Sequence, residues 1–204
     1  MGIPMIPQSG GTPGVCTGYL FADKAELQTA VDLWVSDRNS AIAIYGEINT
    51  WCTGNVTDME DLFQSKTTFN DDISNWDVSS VTNMQGMFGD ASSFNQPLNS
   101  WDVSNVEEMF GMFQDASVFD QNLNSWDVSS VTDMKAMFER ATVFDKDIGS
   151  WDVSNVTNMN SMFEGATVFN QDLTGWCVTL IPSEPTAFSV GSALTPANKP
   201  VWGT

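Results

Sequence analysis

Large apolar residues return along the chain at one fixed interval. Tryptophan recurs every 25 residues without a single insertion, at Trp51, Trp76, Trp101, Trp126, Trp151 and Trp176. An exact period of this length is typical of a solenoid, in which each unit buries its apolar face against its neighbours. The pattern therefore predicts a stack of equivalent repeats.

Within each repeat, one segment has helical spacing and another has strand spacing. Val81, Met84 and Met87 fall on one face of a helix, and Ser80 before them suits an N-cap. The segment from Phe94 to Leu98 alternates with period two, which predicts a short strand. Each repeat should thus supply one short parallel strand and one short helix. We expect an α/β right-handed solenoid, because strand–crossover–strand connections are strongly biased to that hand.

Both ends of the array are expected to carry caps. Residues 23–37 have the pattern of an amphipathic helix, with Leu27, Val31 and Trp34 on one face. Ile44 and Ile48 stand one period before Phe69 and Ile73, so the first ladder strand is expected there. The predicted organisation is a flexible lead-in at residues 1–16 and an N-terminal cap at 17–50. Five repeats follow at 51–175, with a C-terminal cap and tail at 176–204.

The repeat resembles a known family. The unit Trp76-Asp-Val-Ser-Ser-Val-Thr-Asn-Met-Gln-Gly-Met-Phe88, followed by Ala91-Ser-Ser-Phe-Asn-Gln-Pro-Leu98, resembles the BspA-like leucine-rich-repeat family. It is more closely similar to the 25-residue repeats first described as a domain of unknown function in mycoplasma surface lipoproteins. The resemblance covers about residues 44–178. It implies a leucine-rich-repeat-like architecture, secretion or surface display, and adhesion for some members, without a defined ligand or catalytic residues.

Charge and composition argue against several classes of partner and activity. The chain carries 7 basic and 26 acidic residues, a net charge of −19, and no histidine. Such a surface repels nucleic-acid phosphates and anionic lipid headgroups, so neither is expected as a partner, and no segment suits membrane insertion. Without histidine, Ser–His and Cys–His nucleophiles are absent. The acids recur in every repeat, so we predict no enzyme; a carbohydrate-active enzyme is the distant alternative.

A polar face is the candidate binding surface. Positions that alternate with the apolar strand residues carry short amides and carboxylates, which suit polar or cationic protein or glycan surfaces. The alternative is a merely solvated face. The candidate residues are Asn70, Asp72, Asn95, Asn99, Asp120, Asn122, Asn124, Asp145, Asp147, Asn170 and Asp172.

A second polar column directly follows the tryptophans, at Asp77, Asp102, Asp127 and Asp152. Stacked carboxylates about 5 Å apart repel unless something compensates. We expect each to accept hydrogen bonds from the N–H groups of its own turn or of the helix start. Calcium held between successive carboxylates is the alternative, and no other cofactor is expected.

Cysteines and sequons complete the candidate chemistry. Cys52 and Cys177 stand five repeats apart, too far for a disulfide, whereas Cys16 could reach Cys52 and fix the entry cap. Asn55-Val56-Thr57 and Asn155-Val156-Thr157 are glycosylation sequons at equivalent positions.

These features together favour a non-catalytic, extracellular or cell-surface repeat module for adhesion or protein binding through its polar face. The rival hypothesis is a structural spacer or a self-assembling subunit of a surface layer or filament.

Overall fold

The computed structural model describes residues 16–204. Nearly all of the predicted lead-in at residues 1–16 therefore lies outside the described residues. The described chain begins with a helical cap and continues as a series of layers, each about one repeat long.

The entry cap contains two helices, α1 (Lys24–Ser36) and α2 (Arg38–Tyr45). Helix α1 matches the predicted amphipathic helix and buries Leu27, Ala30, Val31 and Trp34. Its N-cap is Asp23, whose carboxylate accepts from the Glu26 N–H at 3.0 Å. Burial of this face against the first repeat closes that end of the stack.

The first ladder strand expected at Ile44 and Ile48 is wrong. Ile44 lies in α2 with 57% of its surface exposed, and Ile48 begins a short 3₁₀ turn, Ile48–Thr50. The missed signal is Asp37, whose side chain caps α2 by accepting from the N–H and the hydroxyl of Ser40. This cap starts a new helix where the 25-residue register suggested a strand.

Neighbouring repeats pair in parallel through one segment. Parallel bridges join Asp58 to Asn83, Asn83 to Glu108, Glu108 to Asp133, and Asp133 to Asn158. In the first layer, the N–H groups of Met59, Asp61 and Phe63 donate to carbonyls of the second layer at 2.8–2.9 Å. The intervening N–H groups close turns within the layer, as in Leu62 to Met59.

This paired segment is the one predicted to be helical, and that prediction is wrong. No α-helix occurs between residues 46 and 204, all of which are described. Gly86 and Asp90 have φ of 58°, in the left-handed region that an α-helix excludes. These residues turn alternate N–H groups toward the next layer, whereas a helix would use every N–H internally.

The segment predicted as a strand, Phe94 to Leu98, forms no backbone bridge. The Phe94 N–H closes a turn by donating to Ala91 O, and the Asn95 N–H donates to Oδ1 of Asn70 at 2.8 Å. Parallel pairing thus exists in the molecule, but on the opposite segment of each repeat from the one expected. The right-handed solenoid as a class stays a prediction.

Apolar columns fill the interior along the whole stack. Phe88 and Phe94 stack at 4.1 Å within their repeat, and each also stacks on its equivalents in adjacent layers at 5.4–6.0 Å. The aligned valines and methionines are buried beside them, as in Val81, Met84 and Met87. The core is therefore one continuous column shared between layers, as repeat stacking requires.

The segment predicted as the C-terminal cap and tail, residues 176–204, forms a further layer. Phe163 donates its N–H to Phe188 O at 2.9 Å, and Val178 donates to Thr204 O at 2.8 Å. The acceptor of the Phe163 N–H lies 25 residues later in the chain, whereas the acceptor of the Phe138 N–H, Met162 O, lies 24 residues later. One extra residue shifts this last layer out of the exact period, so the sequence pattern hides it.

Candidate functional surface

The tryptophan column belongs to the core. The six aligned side chains are 1–4% exposed. Each of the last five indoles donates its N–H to a carbonyl of the preceding repeat, as Trp126 does to Leu98 at 2.9 Å. Trp51, which has no complete repeat before it, donates to Gly46. The column therefore joins layers through buried hydrogen bonds.

The predicted binding face divides into columns with different roles. In the first, an amide or carboxylate oxygen accepts the backbone N–H of the equivalent residue in the next layer. The distances run from 2.8 to 3.2 Å, and the acceptors are Asn70, Asn95, Asp120 and Asp145, continued by Asn170 to Thr195. We call this set the staple column.

Neighbouring side chains reinforce the staple column. Gln96 Nε2 donates to the backbone and side-chain oxygens of Asn70, and Gln121 does the same to Asn95. Lys146 Nζ reaches Asp120 Oδ2 at 2.6 Å. Sequence reasoning missed these partners, although the recurrent Asn-Gln and Asp-Gln pairs signalled them. The staple column stabilises the stack, and its role in ligand binding stays a prediction.

The remaining candidate residues lie on exposed turns. Asp72, Asp147 and Asp172 each accept the N–H two residues ahead at 2.9 Å. The Ser74 N–H and hydroxyl lower the pKa of Asp72, and the Thr174 hydroxyl and N–H lower the pKa of Asp172. Asn122 and Asn124 are exposed, whereas Asn99 is half-buried and bonds to Ser125.

The aspartates after tryptophan are exposed and held by their own turns. Asp77, Asp102, Asp127 and Asp152 each accept from the N–H of the serine two residues ahead at 3.0–3.2 Å. The Ser129 hydroxyl and N–H lower the pKa of Asp127, and Ser154 lowers that of Asp152 in the same way. Within residues 16–204, no three His, Cys, Asp or Glu side chains are grouped as a metal ion requires.

Basic side chains are almost fully paired. Six of the seven make ion pairs with carboxylates: Lys24, Arg38, Lys66, Arg140, Lys146 and Lys199. The seventh, Lys135, lies over the Phe110 ring at 5.0 Å. Seven turn carboxylates have no such pair in the described chain: Asp72, Asp77, Asp102, Asp127, Asp147, Asp152 and Asp172. We call these seven the acidic turn columns; Asp145 of the staple column likewise makes no ion pair among the described residues.

A disulfide joins Cys16 to Cys52, with their Cα atoms 5.6 Å apart. Backbone hydrogen bonds between Cys52 and the segment around Leu20 hold that segment against the first repeat. An open cavity of about 540 Å³ lies beside the disulfide, lined in part by Trp51, Gly54 and Asp77. Cys177 is exposed and carries no disulfide.

Comparison with protein families gives one assignment. The model of the family described as "Mycoplasma protein of unknown function, DUF285" matches twice, at residues 34–134 and 105–195. The chain belongs to this family. Its two matches overlap and together span the repeats, the second helix of the entry cap and part of the last layer. Neither the curated proteins nor the solved structures contain a match to the chain.

The family description assigns no activity. Among residues 16–204, no helix has the length and apolar character needed to cross a bilayer. The candidate surface is a regular array of turn carboxylates on the stacked repeats.

Proposed function

We propose that the chain is a non-catalytic, extracellular repeat module that binds protein partners through its acidic turn columns. One observation carries the proposal: six basic side chains are already paired with carboxylates, while these seven exposed carboxylates are not. A row of unpaired charges at a fixed interval favours a partner whose basic groups repeat along an extended surface.

The turns preorganise these carboxylates for recognition. One oxygen of Asp102 accepts from the N–H and hydroxyl of Ser104, which fixes the side chain. The second oxygen has no partner among the described residues and is available to a guanidinium or ammonium group. Because the side chain is already ordered, binding loses little further conformational entropy.

Several features support a binding module over an enzyme. The chain has no histidine, and the exposed carboxylates after tryptophan have the same turn geometry in four successive repeats. A catalytic site needs groups whose environments differ, so that one holds a proton and another does not. The stack of parallel-paired layers also supports a right-handed solenoid related to the BspA-like leucine-rich repeats, and surface display accords with that relationship.

The test separates charge from turn structure. The triple variant Asp102→Asn, Asp127→Asn, Asp152→Asn removes three charges but keeps an oxygen to accept each serine N–H. Binding of basic peptides and of an array of extracellular proteins is measured at several salt concentrations. We expect at least a tenfold loss of affinity, and weaker wild-type binding as salt rises.

A matched control changes net charge by the same amount elsewhere. Asp90→Asn, Glu107→Gln, Glu164→Gln removes three charges from side chains without ion pairs in the described structure. This control should retain most of the affinity. Equal losses in both triple variants would reduce the effect to overall charge and would contradict a site on the turn columns.

The rival function, a self-assembling subunit, is favoured by the far end of the stack. The N–H groups of Ala187, Ser189 and Gly191 occupy the positions that donate forward in every earlier layer, and they have no acceptor among residues 16–204. An unpaired row of donors can accept a further layer from another chain. Concentration-dependent self-association in sedimentation velocity, with no binding to any arrayed ligand, would favour this rival.

A further inference from the structure

The two sequons occupy equivalent places in the repeat but different surroundings. Asn55 and Asn155 are both exposed and belong to one column, which also contains Ser80, Asn105 and Ser130. Equivalent positions in a perfect array would be chemically alike. The first repeat breaks this equivalence because a helix, and not another repeat, precedes it.

Three members of this column, Asn105, Ser130 and Asn155, use their side chains to hold the preceding layer. Nδ2 of Asn105 donates to Ser79 O, and Nδ2 of Asn155 donates to Ser129 O, both at 2.8 Å. Ser130 donates its hydroxyl to Ser104 O at 2.7 Å. In each case the acceptor lies 26 residues earlier, so the bond crosses between layers.

Asn55 has no such acceptor. The residue 26 positions before it is Thr29, inside α1, whose hydroxyl bonds to Ala25 in its own helix. Among the described residues, the Asn55 amide makes no hydrogen bond and projects from the first layer. Its amide nitrogen is therefore open to substitution, whereas that of Asn155 contributes to the stack.

We infer that Asn55 is a site of N-linked glycosylation that the folded protein accommodates, and that Asn155 is not. The inference rests on the extracellular location in the proposed function and on export through a secretory pathway that glycosylates asparagine. The donor class is an oligosaccharide on a polyprenyl pyrophosphate carrier. Nδ2 of Asn55 bonds to the anomeric carbon, the carbon–oxygen bond to pyrophosphate breaks, and the amide proton passes to a base of the transferase.

A glycan at Asn55 would cover the edge of the first repeat next to the cavity at Trp51 and Gly54. It would add bulk and hydration at the end that α1 closes, next to Asp77, which lines the same cavity. At Asn155 the sugar would be attached to the nitrogen that lies 2.8 Å from Ser129 O. Its anomeric carbon would therefore crowd the preceding layer.

The experiment uses the full chain directed into a eukaryotic secretory pathway by an added signal sequence. Thr157→Ala leaves only the Asn55 sequon, and Thr57→Ala leaves only the Asn155 sequon. Glycopeptide mass spectrometry measures occupancy at each site. The same variants made with an inhibitor of lipid-linked oligosaccharide synthesis provide unglycosylated controls of identical sequence.

We expect Asn55 to be occupied in secreted Thr157→Ala, with the same thermal midpoint as its unglycosylated control. In Thr57→Ala, the glycosylated chains should melt roughly 2–4 °C lower than their control, the shift expected for losing one hydrogen bond in a chain of this size. An unoccupied Asn55, or a midpoint lowered by its glycan, would overturn the first assignment. Equal midpoints for glycosylated and unglycosylated Thr57→Ala would overturn the second.

These outcomes are independent of ligand binding, which is measured with the unglycosylated controls. If Asn55 is occupied in the secreted protein but the unglycosylated protein does not bind basic peptides, the proposed function alone is contradicted. Intact binding with Asn55 empty would contradict the glycosylation site alone.

Discussion

The indole N–H of Trp101 donates to the carbonyl oxygen of Ile73, 28 residues earlier, at 3.2 Å. The same carbonyl also accepts the backbone N–H of Trp76 at 3.0 Å, which closes a turn in its own repeat. Both lone pairs of one buried oxygen are thus used, one within a repeat and one between repeats. Tryptophan serves here both as core volume and as a hydrogen-bond donor.

Replacing Trp101 by Ala should lower the free energy of unfolding by roughly 3–5 kcal/mol, as for large-to-small changes in protein cores. Because each layer contacts only its neighbours, hydrogen-exchange protection should fall most in the layers around residues 76–126. Native-state exchange with mass spectrometry measures this. Equal losses of protection in every layer would contradict the local coupling.

A companion variant, Trp101→Phe, keeps an aromatic ring in the column but removes the donor. The cost should be smaller than for Ala, about 1–3 kcal/mol, because one hydrogen bond and part of the side-chain volume are lost. Chemical denaturation of both variants measures the difference. A Phe variant as unstable as the Ala variant would mean that the hydrogen bond, and not the volume, dominates.

Two asparagines on the same face should respond differently to truncation. Asn95 accepts from the Asp120 N–H and from Gln121, whereas exposed Asn122 makes no side-chain hydrogen bond in the described structure. Asn95→Ala should therefore cost about 1–2 kcal/mol, with Asn122→Ala near zero. Thermal and urea unfolding of the pair test this. Similar costs at both positions would argue against the staple column.

Reduction of the Cys16–Cys52 disulfide should loosen the entry cap before the repeats. The bond closes a loop with a sequence separation of 36 residues around α1. In the chain-entropy account such a loop contributes about 3–4 kcal/mol. Hydrogen exchange with and without reductant should show the largest change in α1. Non-reducing peptide mapping supplies the control, because a Cys52–Cys177 peptide from the monomer would contradict the stacked arrangement.

Alkaline titration should destabilise the same cap. The Tyr19 hydroxyl donates to Glu26 at 2.6 Å, and this bond to a carboxylate raises the pKa of Tyr19 to about 12 from its ordinary value of 10.0. A raised folded-state pKa stabilises the fold below pH 10.0, and that contribution is lost as pH rises toward 12. Tyrosinate absorbance and unfolding at each pH measure the effect. Tyr19→Phe should flatten the dependence, and an unchanged slope would exclude Tyr19 as its cause.

Much of the cap and core followed from the sequence. The pattern of Leu27, Val31 and Trp34 located α1 to within a residue of its ends, since the covered face of a helix requires apolar side chains three or four apart. The 25-residue columns identified the buried tryptophans, phenylalanines and methionines, because residues in register meet the same surroundings in every layer.

The secondary structure of the repeat could not be derived in the same way. Val81, Met84, Met87 and Phe88 are buried, as a helical face would be, yet their segment turns through left-handed residues and pairs with the next layer. Gly86 disfavours a helix in this segment, but the apolar spacing favours one more strongly. A spacing of three satisfies both a helix and a series of tight turns, so periodicity alone did not distinguish them.

The sequence by itself determined the period, the buried columns, the capping helix and the acidic surface, because each depends on residue type and spacing. Tertiary structure decided where backbone N–H groups find their acceptors. That choice placed the parallel pairing, gave Asn95 a partner in the next layer, and left Asn55 without the bond that Asn155 makes. Hydrogen bonds between layers join atoms 24–28 residues apart, so the spacing of apolar residues within one repeat does not specify them.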